Sequence, residues 1–357
     1  MEKVKFKSTP AENAFFEDAR SSVANYFKDN NISPLGNTEM LIKTLFWLGL
    51  WAATWWGVIV YKDNFWLAFG IGLVFIFTHV MIAFNMMHDA NHDAVFKSKK
   101  ANLYFSSLIE LVGCNRKLWT ISHNKEHHTF LNVYQQDSNI EGYKILRLTP
   151  EEELRPYHRY QWLYGIFIYA LVTLNYATVK DIKMLFRYVK EGKLQITFGY
   201  LVEFIFFKVL YYTYVFLIPI FVFGVSFKLV FLYWLIGHFM IGIFLALIFV
   251  TGHLVETVFY PKVEDNFVNI NWAVNVVKTT GDYSTDSMLE WFVGGINLHV
   301  AHHLFPRINH VHYKKISPII KEAAKRHGLQ YREIPSFWTA MRSHFMLLKA
   351  LGRPDFK

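Results

Sequence analysis

The residues with the clearest chemical potential are histidines. The sequence has 16 histidines and a single cysteine, and eight of the histidines fall in three short clusters. The clusters are His88-Asp89-Ala90-Asn91-His92, His123-Asn124-Lys125-Glu126-His127-His128 and His299-Val300-Ala301-His302-His303. Imidazole is a ligand for iron, zinc, copper and nickel, so these clusters predict a metal centre. One cysteine, Cys114, allows neither an intrachain disulfide nor a cysteine-based metal cluster.

The spacing within each cluster predicts more than one metal ion. On a helix, residues three or four positions apart share a face, which would pair His88 with His92, His123 with His127, and His299 with His302 or His303. Neighbouring histidines on a helix diverge by about 100°, so His127-His128 and His302-His303 could each serve two adjacent metals. Eight imidazoles exceed the four ligands of a tetrahedral zinc. The pattern therefore predicts two metal ions.

The composition is that of a membrane protein. Hydrophobic residues make up 53% of the 357 residues and charged residues only 18%, whereas about 25% is usual in soluble domains. The net charge of +9 is not accompanied by a nucleic-acid-binding motif, so we expect basic loops that face anionic lipid rather than a nucleic-acid partner.

The apolar stretches predict four transmembrane helices in two hairpins, because about 20 apolar residues cross a bilayer core. The predicted spans are residues 41–60, 65–87, 200–223 and 229–250. The apolar stretch 162–176 is too short to span and is expected to be interfacial or buried. Residues 1–40, 88–199 and 251–357 then share one side with all three histidine clusters, and their many Lys and Arg residues indicate the cytoplasmic side. We therefore expect an all-α, multi-pass, single-domain membrane protein with a cytoplasmic helical cap that holds the histidines.

The N-terminal segment predicts a short amphipathic helix. Thr9-Pro10-Ala11-Glu12 is a capping box with proline at the first helical position, and the first 38 residues lack the apolar stretch of a signal peptide. We expect the apolar face of this helix to lie on the membrane surface; that face carries Phe15, Phe16, Val23, Tyr26 and Phe27.

The three clusters resemble the histidine boxes of the membrane fatty-acid desaturase family, close to HxxxH, HxxHH and [HQ]xxHH, in this order around two helical hairpins. The resemblance covers roughly residues 40–320 and includes Gly294-Gly295-Ile296-Asn297, Leu304-Phe305-Pro306 and His310-Val311-His312-Tyr313. The flanking residues are most similar to the acyl-CoA or acyl-lipid front-end branch. Two departures are a second box with three residues between its first two histidines, and His299 where front-end enzymes usually have glutamine. Because of the latter, the resemblance does not predict the regiochemistry.

The resemblance implies a centre of two non-haem Fe ions. It also implies a ninth ligand, His253, because related desaturases place an additional histidine just beyond the fourth span. Asp89 and Glu256 are candidates to orient imidazoles. The alternative is that they are ordinary charged residues at helix ends. We expect His310 and His312 to support the third cluster and His158, His327 and His344 to lie at the surface, whereas the roles of His79 and His238 stay open.

The predicted function is an O2-dependent oxidoreductase that introduces a double bond into a fatty-acyl chain carried on CoA, an acyl-carrier protein or a lipid. A separate electron donor such as ferredoxin or cytochrome b5 is expected. The alternatives are a lipid hydroxylase or carotenoid-modifying oxygenase on the same scaffold, and a non-enzymatic membrane metal-binding protein. The sequence leaves open the double-bond position, the chain length and carrier, the identity of the donor and the oligomeric state.

Overall fold

The computed structural model describes residues 4–285 and 287–356 and is mostly helical. Its α-helices are α1 (Pro10–Asp29), α2 (Thr38–Val60), α3 (Phe65–Ile82), α4 (His88–Asn91), α5 (Lys99–Ser106), α6 (Arg116–Thr120), α7 (Gln161–Ala170), α8 (Val172–Asn175), α9 (Asp181–Lys190), α10 (Phe198–Tyr212), α11 (Phe227–His253), α12 (Trp272–Thr279), α13 (Ser287–Phe292), α14 (His299–Leu304), α15 (Tyr313–Arg326) and α16 (Phe337–Leu351).

Several helices are joined or extended by turns of other helical types. The π-helical segments are Ala83–Met87, Ile121–His127, Tyr176–Lys180 and Thr213–Val222, and the 3-10 segments are Ser107–Val112, Ser138–Ile140, Pro156–Tyr160 and His310–His312. The short strands are β1 (Lys5–Phe6), β2 (Val263–Glu264), β3 (Phe267–Val268), β4 (Asp282–Tyr283) and β5 (Glu333–Ile334).

The chain divides into two compact units. The first unit comprises the described residues of Met1–Asn37, Ser122–Gly165 and Leu247–Lys357, and the second comprises Thr38–Ile121 and Ile166–Ala246. Strand β3 of the first unit pairs parallel with β1 and antiparallel with β2, and β4 pairs parallel with β5.

Helix α1 belongs to the core of the first unit. The predicted capping box is present, with the Thr9 side chain accepting from the Glu12 amide. The apolar face that includes Phe15, Val23 and Phe27 is buried against residues of α12, α14 and α15. The expectation that this face lies on the membrane surface is therefore wrong, because the protein itself covers it.

The second unit contains a helical hairpin made of α2 and α3. The link between the helices is as short as predicted, and Asn64 caps α3 by accepting from the Leu67 amide. Helices of the described chain that are long and apolar enough to cross a membrane are Phe65–Asn91, Phe198–Val222 and Phe227–His253. Pro156–Ala170 and Val172–Lys190 pass the same test only as one bent pair, so the described chain has three or up to four candidate spans.

The predicted first span, residues 41–60, does form a helix, but α2 is not among these candidates. Its four tryptophans and Lys43 lower its mean hydropathy.

A buried ionic network ties the segment before α6 to α9 and α10 in the second unit. Lys208 Nζ lies 2.7 Å from Asp181 Oδ2 and also donates to the Gly113 carbonyl. The Asn115 amide donates to Asp181, and the Arg116 amide donates to Glu110 Oε1 at 2.8 Å. A lysine within an apolar helix is thereby neutralised by a carboxylate, as membrane-buried charges require.

Candidate metal centre

Seven of the nine predicted ligands lie in the first unit, and the side chains of all seven are buried. They come from the π-helical turn Ile121–His127 and the residue that follows it, from the last residue of α11, and from α14. They are His123, His127, His128, His253, His299, His302 and His303.

The π-helical turn changes which histidines of the second cluster converge. The amide of His128 donates to the His123 carbonyl at 2.9 Å, a bond over five residues. The Nε2 atoms of His123 and His128 consequently lie 3.2 Å apart. The ring centroids of this pair are 4.7 Å apart, whereas those of His123 and His127 are 5.6 Å apart. Single π-turns inside helices are frequent at functional sites.

The remaining neighbour, His127, faces a different set of rings. Its ligand nitrogen falls within 4.8 Å of those of His253 and His303, and His128 forms a second such group with His302 and His303. Adjacent histidines of one turn thus belong to two groups of potential metal ligands that share His303. This is the divergence predicted for His127-His128.

His299 packs beside these groups without being a member of either. Its ring centroid lies 4.5 Å from that of His253 and 4.8 Å from that of His303. Close packing against Gly252 holds it there, because a Cβ on Gly252 would approach the His299 ring to 3.0 Å.

Several of these imidazoles are held from behind through Nδ1. His127 Nδ1 lies 3.1 Å from the Asp137 carboxylate, His299 Nδ1 lies 2.8 Å from the Ile296 carbonyl, and His302 Nδ1 lies 3.2 Å from the Tyr313 hydroxyl. A carboxylate or carbonyl partner requires Nδ1 to carry the proton, so the lone pair of the neutral ring that can bind a metal is on Nε2. This arrangement is the usual support of metal-ligating histidines, so the site fits a metal.

The structure also reveals supporting carboxylates that sequence reasoning missed. Asp137 accepts from His127 and from the amides of Asn132 and Asn139, at 3.0 and 2.9 Å. Asp282 accepts from the Val300 amide at 2.9 Å in the first turn of α14, and burial raises its pKa to about 7. Glu256 instead contacts Ser343. An aspartate ten residues after His127 is too ordinary a sequence signal to have been singled out.

Burial keeps the shared histidine neutral. The pKa of the His303 imidazole is held well below its ordinary value, first by burial and then by the surrounding histidines His128, His253, His299 and His302. Neutral imidazole is the form that binds metal ions.

The first cluster lies in the second unit. His88 and His92 have ring centroids 5.1 Å apart and are both buried. The helix that begins with α3 continues through the π-turn Ala83–Met87 to Asn91, so His88 sits on the same continuous helix as the predicted second span. Asp89 Oδ1 lies 3.9 Å from His88 Nδ1.

An apolar cavity of about 130 Å³ in the second unit is lined in part by His79 and His238, the two histidines to which the sequence assigned no role. His79 donates through Nδ1 to the Phe75 carbonyl at 2.9 Å and accepts at Nε2 from the Trp51 indole at 3.1 Å. His238 Nε2 lies 2.7 Å from the Tyr211 hydroxyl, which in turn accepts from the Trp234 indole at 2.7 Å. These two histidines are hydrogen-bonded members of a cavity wall.

Three further histidines, His158, His327 and His344, were predicted to lie at the surface. His158 and His344 are fully buried, so their placement at the surface was wrong. Each donates a hydrogen bond to a backbone carbonyl: His344 Nδ1 donates to the Leu254 carbonyl, and His158 Nε2 donates to the Lys144 carbonyl. His327 is partly exposed beside Asp18.

Comparison with known proteins agrees with this geometry. The model of the fatty acid desaturase family matches residues 64–335. An acyl-lipid (8-3)-desaturase of Physcomitrium patens is 31% identical over 99% of this chain and 76% of its own length. The sn-1 linoleoyl-lipid 6-desaturases of Arthrospira platensis and a Synechocystis species are 30% and 29% identical, over 96% and 92% of this chain and 94% and 92% of their own lengths. The chain therefore belongs to the fatty acid desaturase family, and it is an oxidoreductase that introduces double bonds into lipid acyl chains.

Proposed function

We propose that the substrate is an already unsaturated acyl chain esterified in a membrane lipid, and that the new double bond forms toward the carboxyl end of the existing ones. The convergence of buried imidazoles in the first unit carries the chemical part of this proposal. The substrate part is supported by the relatives of nearly full coverage, whose names specify acyl-lipid and linoleoyl-lipid substrates.

The metal centre in this proposal consists of two non-haem irons. Their ligands are His88, His92, His123, His127, His128, His253, His299, His302 and His303. The imidazole donor set is compatible with iron as well as with zinc, copper and nickel, and membership of the fatty acid desaturase family favours iron. When bound, the irons supply the oxidising power, with O2 and two electrons, that no amino-acid side chain has.

The protein positions and shields that centre. Asp137, Tyr313 and the Ile296 carbonyl hold three imidazoles in orientation through Nδ1, so the ligands need little reorganisation. The burial of all nine histidines excludes bulk water, which protects the substrate from side reactions. We assign no proton-transfer role to the histidines.

We further propose that the cavity of the second unit receives the acyl chain. Its lining is almost entirely apolar and includes Gly72 and Ile76 of α3, the same continuous helix that carries His88. His79, in the cavity wall, precedes His88 by nine residues, which a rise of 1.5 Å per residue converts to about 14 Å. One lipid acyl chain extends about 15 Å, half of a hydrocarbon core about 30 Å thick.

The proposed topology retains four crossings, with α2 as the first, and places the histidine clusters on the cytoplasmic side. The helical hairpin of α2 and α3 and the basic character of residues 88–199 and 251–357 support it. On that side a separate one-electron carrier, such as ferredoxin or cytochrome b5, would supply the electrons.

The proposal is tested by expressing the chain in a microbial host that is fed saturated and polyunsaturated fatty acids of several lengths. The wild type should form a double bond that is new to the host, on the carboxyl side of an existing one. His302→Ala should abolish the product, and His327→Ala, a change outside the metal centre, should retain it. A hydroxylated product would replace this proposal with a lipid hydroxylase, and no product despite added iron and donors would refute it.

A further inference from the structure

Five partly exposed aromatic side chains of the first unit surround the ends of two histidine clusters. They pack on one common core, and we call them the aromatic patch: Phe6, Phe16, Phe130, Trp272 and Phe305. Phe130 follows the buried His128 by two residues, and Phe305 follows the buried His303 by two residues. At this patch, two segments that carry proposed metal ligands therefore pass from buried to partly exposed positions.

The rings of the aromatic patch contact one another. Phe16 packs edge-on against Trp272, with ring centroids 5.6 Å apart, and stacks on Phe305 at 6.1 Å. Phe6 stacks on Phe130 at 6.0 Å. Aromatic rings at such distances attract each other beyond the burial of their area. The patch is thus a set of rings in defined contact and differs from singly scattered surface aromatic residues.

Trp272 connects the aromatic patch to the metal centre through one hydrogen bond. Its indole Nε1 donates to the His128 carbonyl at 3.0 Å, and the His128 ring belongs to one of the groups of potential metal ligands. Electrons tunnel more readily through covalent and hydrogen bonds than across gaps between packed groups. Only this hydrogen bond and the bonds of a single residue separate the indole from the His128 imidazole.

The segment held by Trp272 has a second anchor on the same helix. Asn275 of α12 donates to the Leu131 carbonyl at 3.1 Å. Removal of the indole hydrogen bond therefore leaves this segment attached to α12, so a variant at position 272 can separate electron transfer from folding.

The charge around the aromatic patch is positive. The exposed cations within two residues of its rings are Lys5, Lys7 and Arg307. The carboxylates within the same distance are Glu17, which is exposed, and Asp18, which is paired with Arg326 at 2.9 Å. A surface with an excess of positive charge attracts an acidic partner and steers its approach.

We propose that a small, acidic one-electron carrier protein docks on the aromatic patch, and that Trp272 and His128 conduct each electron to the metal centre. The inference rests on the proposed function, because that reaction takes up two electrons for each double bond. Each docking event oxidises the carrier by one electron and reduces the metal centre by one electron, and two events supply one turnover. Trp272 is a bridge in this route, and no bond of the protein forms or breaks.

Electron entry is tested by mixing oxidised, iron-loaded, full-length enzyme with reduced ferredoxin or reduced cytochrome b5, both small acidic carriers, in an oxygen-free stopped-flow instrument. Trp272→Phe keeps a ring beside Phe16 but loses the indole donor, so it should oxidise the carriers several-fold more slowly than the wild type. Reduction by dithionite, which needs no docking surface, should be unchanged. Trp338→Phe, at an exposed tryptophan of α16, should match the wild type with both reductants.

Three results of this experiment would overturn the route through Trp272. The first is an equal rate of carrier oxidation by the wild type and Trp272→Phe. The second is a parallel slowing with dithionite, which would indicate a structural role. The third is a wild type that dithionite reduces and neither carrier reduces.

Docking is measured separately, as binding of the oxidised carrier to the oxidised, iron-loaded enzyme by biolayer interferometry. Arg307→Glu should lower the association rate by about tenfold, at the lower end of electrostatic steering effects, and should weaken its dependence on salt. Arg353→Glu, an exposed arginine outside the patch, is the matched control. Equal association rates for the two variants would overturn the docking surface. Failure of the proposed function is distinct, because the dithionite-reduced wild type would then desaturate no acyl chain when oxygen is added.

Discussion

The Nε2 atoms of His123 and His128 lie 3.2 Å apart, although the two residues are five positions apart in the sequence. An α-helix would bring together residues three or four positions apart. The π-turn Ile121–His127 adds one residue to the turn, and His127 is thereby directed toward His253 and His303 instead. This local change of helical type allows one short segment to contribute to two groups of ligands.

The support of His127 gives a first prediction. Asp137→Asn removes the charge that orients the His127 imidazole, and it keeps an acceptor for only one of two amides, because Asn132 donates to Oδ2 and Asn139 to Oδ1. Loss of such a partner typically lowers metal affinity by about 10–100-fold. Iron retained after dialysis against a graded chelator series, measured by elemental analysis, should fall accordingly. Asp265→Asn, at an exposed turn position, is the matched control, and indistinguishable chelator curves for the two variants would refute the role of Asp137.

The acyl cavity gives a second prediction, based on two glycines of α3. A Cβ on Gly72 would lie 2.9 Å from the Tyr233 ring in the cavity wall, whereas a Cβ on Gly70 meets nothing within 4 Å. Gly72→Ala should therefore disfavour the longer of two acyl chains by about tenfold in kcat/KM, a magnitude typical of one methylene in an apolar pocket. Gly70→Ala should leave the product ratio of a mixed feeding experiment unchanged. Equal product ratios for both variants would show that this cavity does not bind the acyl chain.

The buried pair in the second unit gives a third prediction. Lys208→Met leaves the Asp181 carboxylate, which is almost fully buried, without its cation. Removal of one partner of a buried ion pair costs about 3–5 kcal/mol, so the free energy of unfolding in detergent should fall by that order. The double variant Lys208→Met/Asp181→Asn should lose less than the sum of the single changes. Strictly additive losses would show that the pair is not coupled.

Glu110 gives a pH-dependent prediction. Burial raises the pKa of its carboxyl to about 8, with Asp181 adding to the rise and Arg116 and Lys208 opposing it. Because the folded protein holds this proton between pH 4.5 and about 8 while the unfolded chain releases it, its contribution to stability falls as the pH rises through that window. Glu110→Gln should remove this contribution. The unfolding midpoint of the variant, relative to that of the wild type, should therefore rise as the pH increases from 5 to 8. Parallel pH profiles would contradict the raised pKa.

Much of this architecture was predictable because strong patterns carry it. The capping box at Thr9, the tight hairpin between α2 and α3 and the grouping of seven histidines in one unit follow from helix periodicity, turn length and ligand type. These signals are local in the sequence, so they survive whatever the rest of the chain does.

The errors arose where tertiary contacts decide. The apolar face of α1 reads equally well as a membrane-binding or a core-facing surface, and only the position of α15 makes it a core element. His128, and not His127, lies close to His123 because of a π-turn, which the residue pattern does not predict. Asp137 contacts His127 because of the fold and belongs to none of the sequence motifs.

The most direct test of the account is the metal content of purified protein, measured by elemental analysis together with Mössbauer spectroscopy of 57Fe-loaded samples. We predict two irons per chain in nitrogen- and oxygen-rich coordination, and loss of iron in a His127→Ala/His303→Ala variant that still folds by circular dichroism. One iron per chain, zinc in preference to iron after iron-replete expression, or full iron retention by the double variant would contradict the di-iron histidine centre.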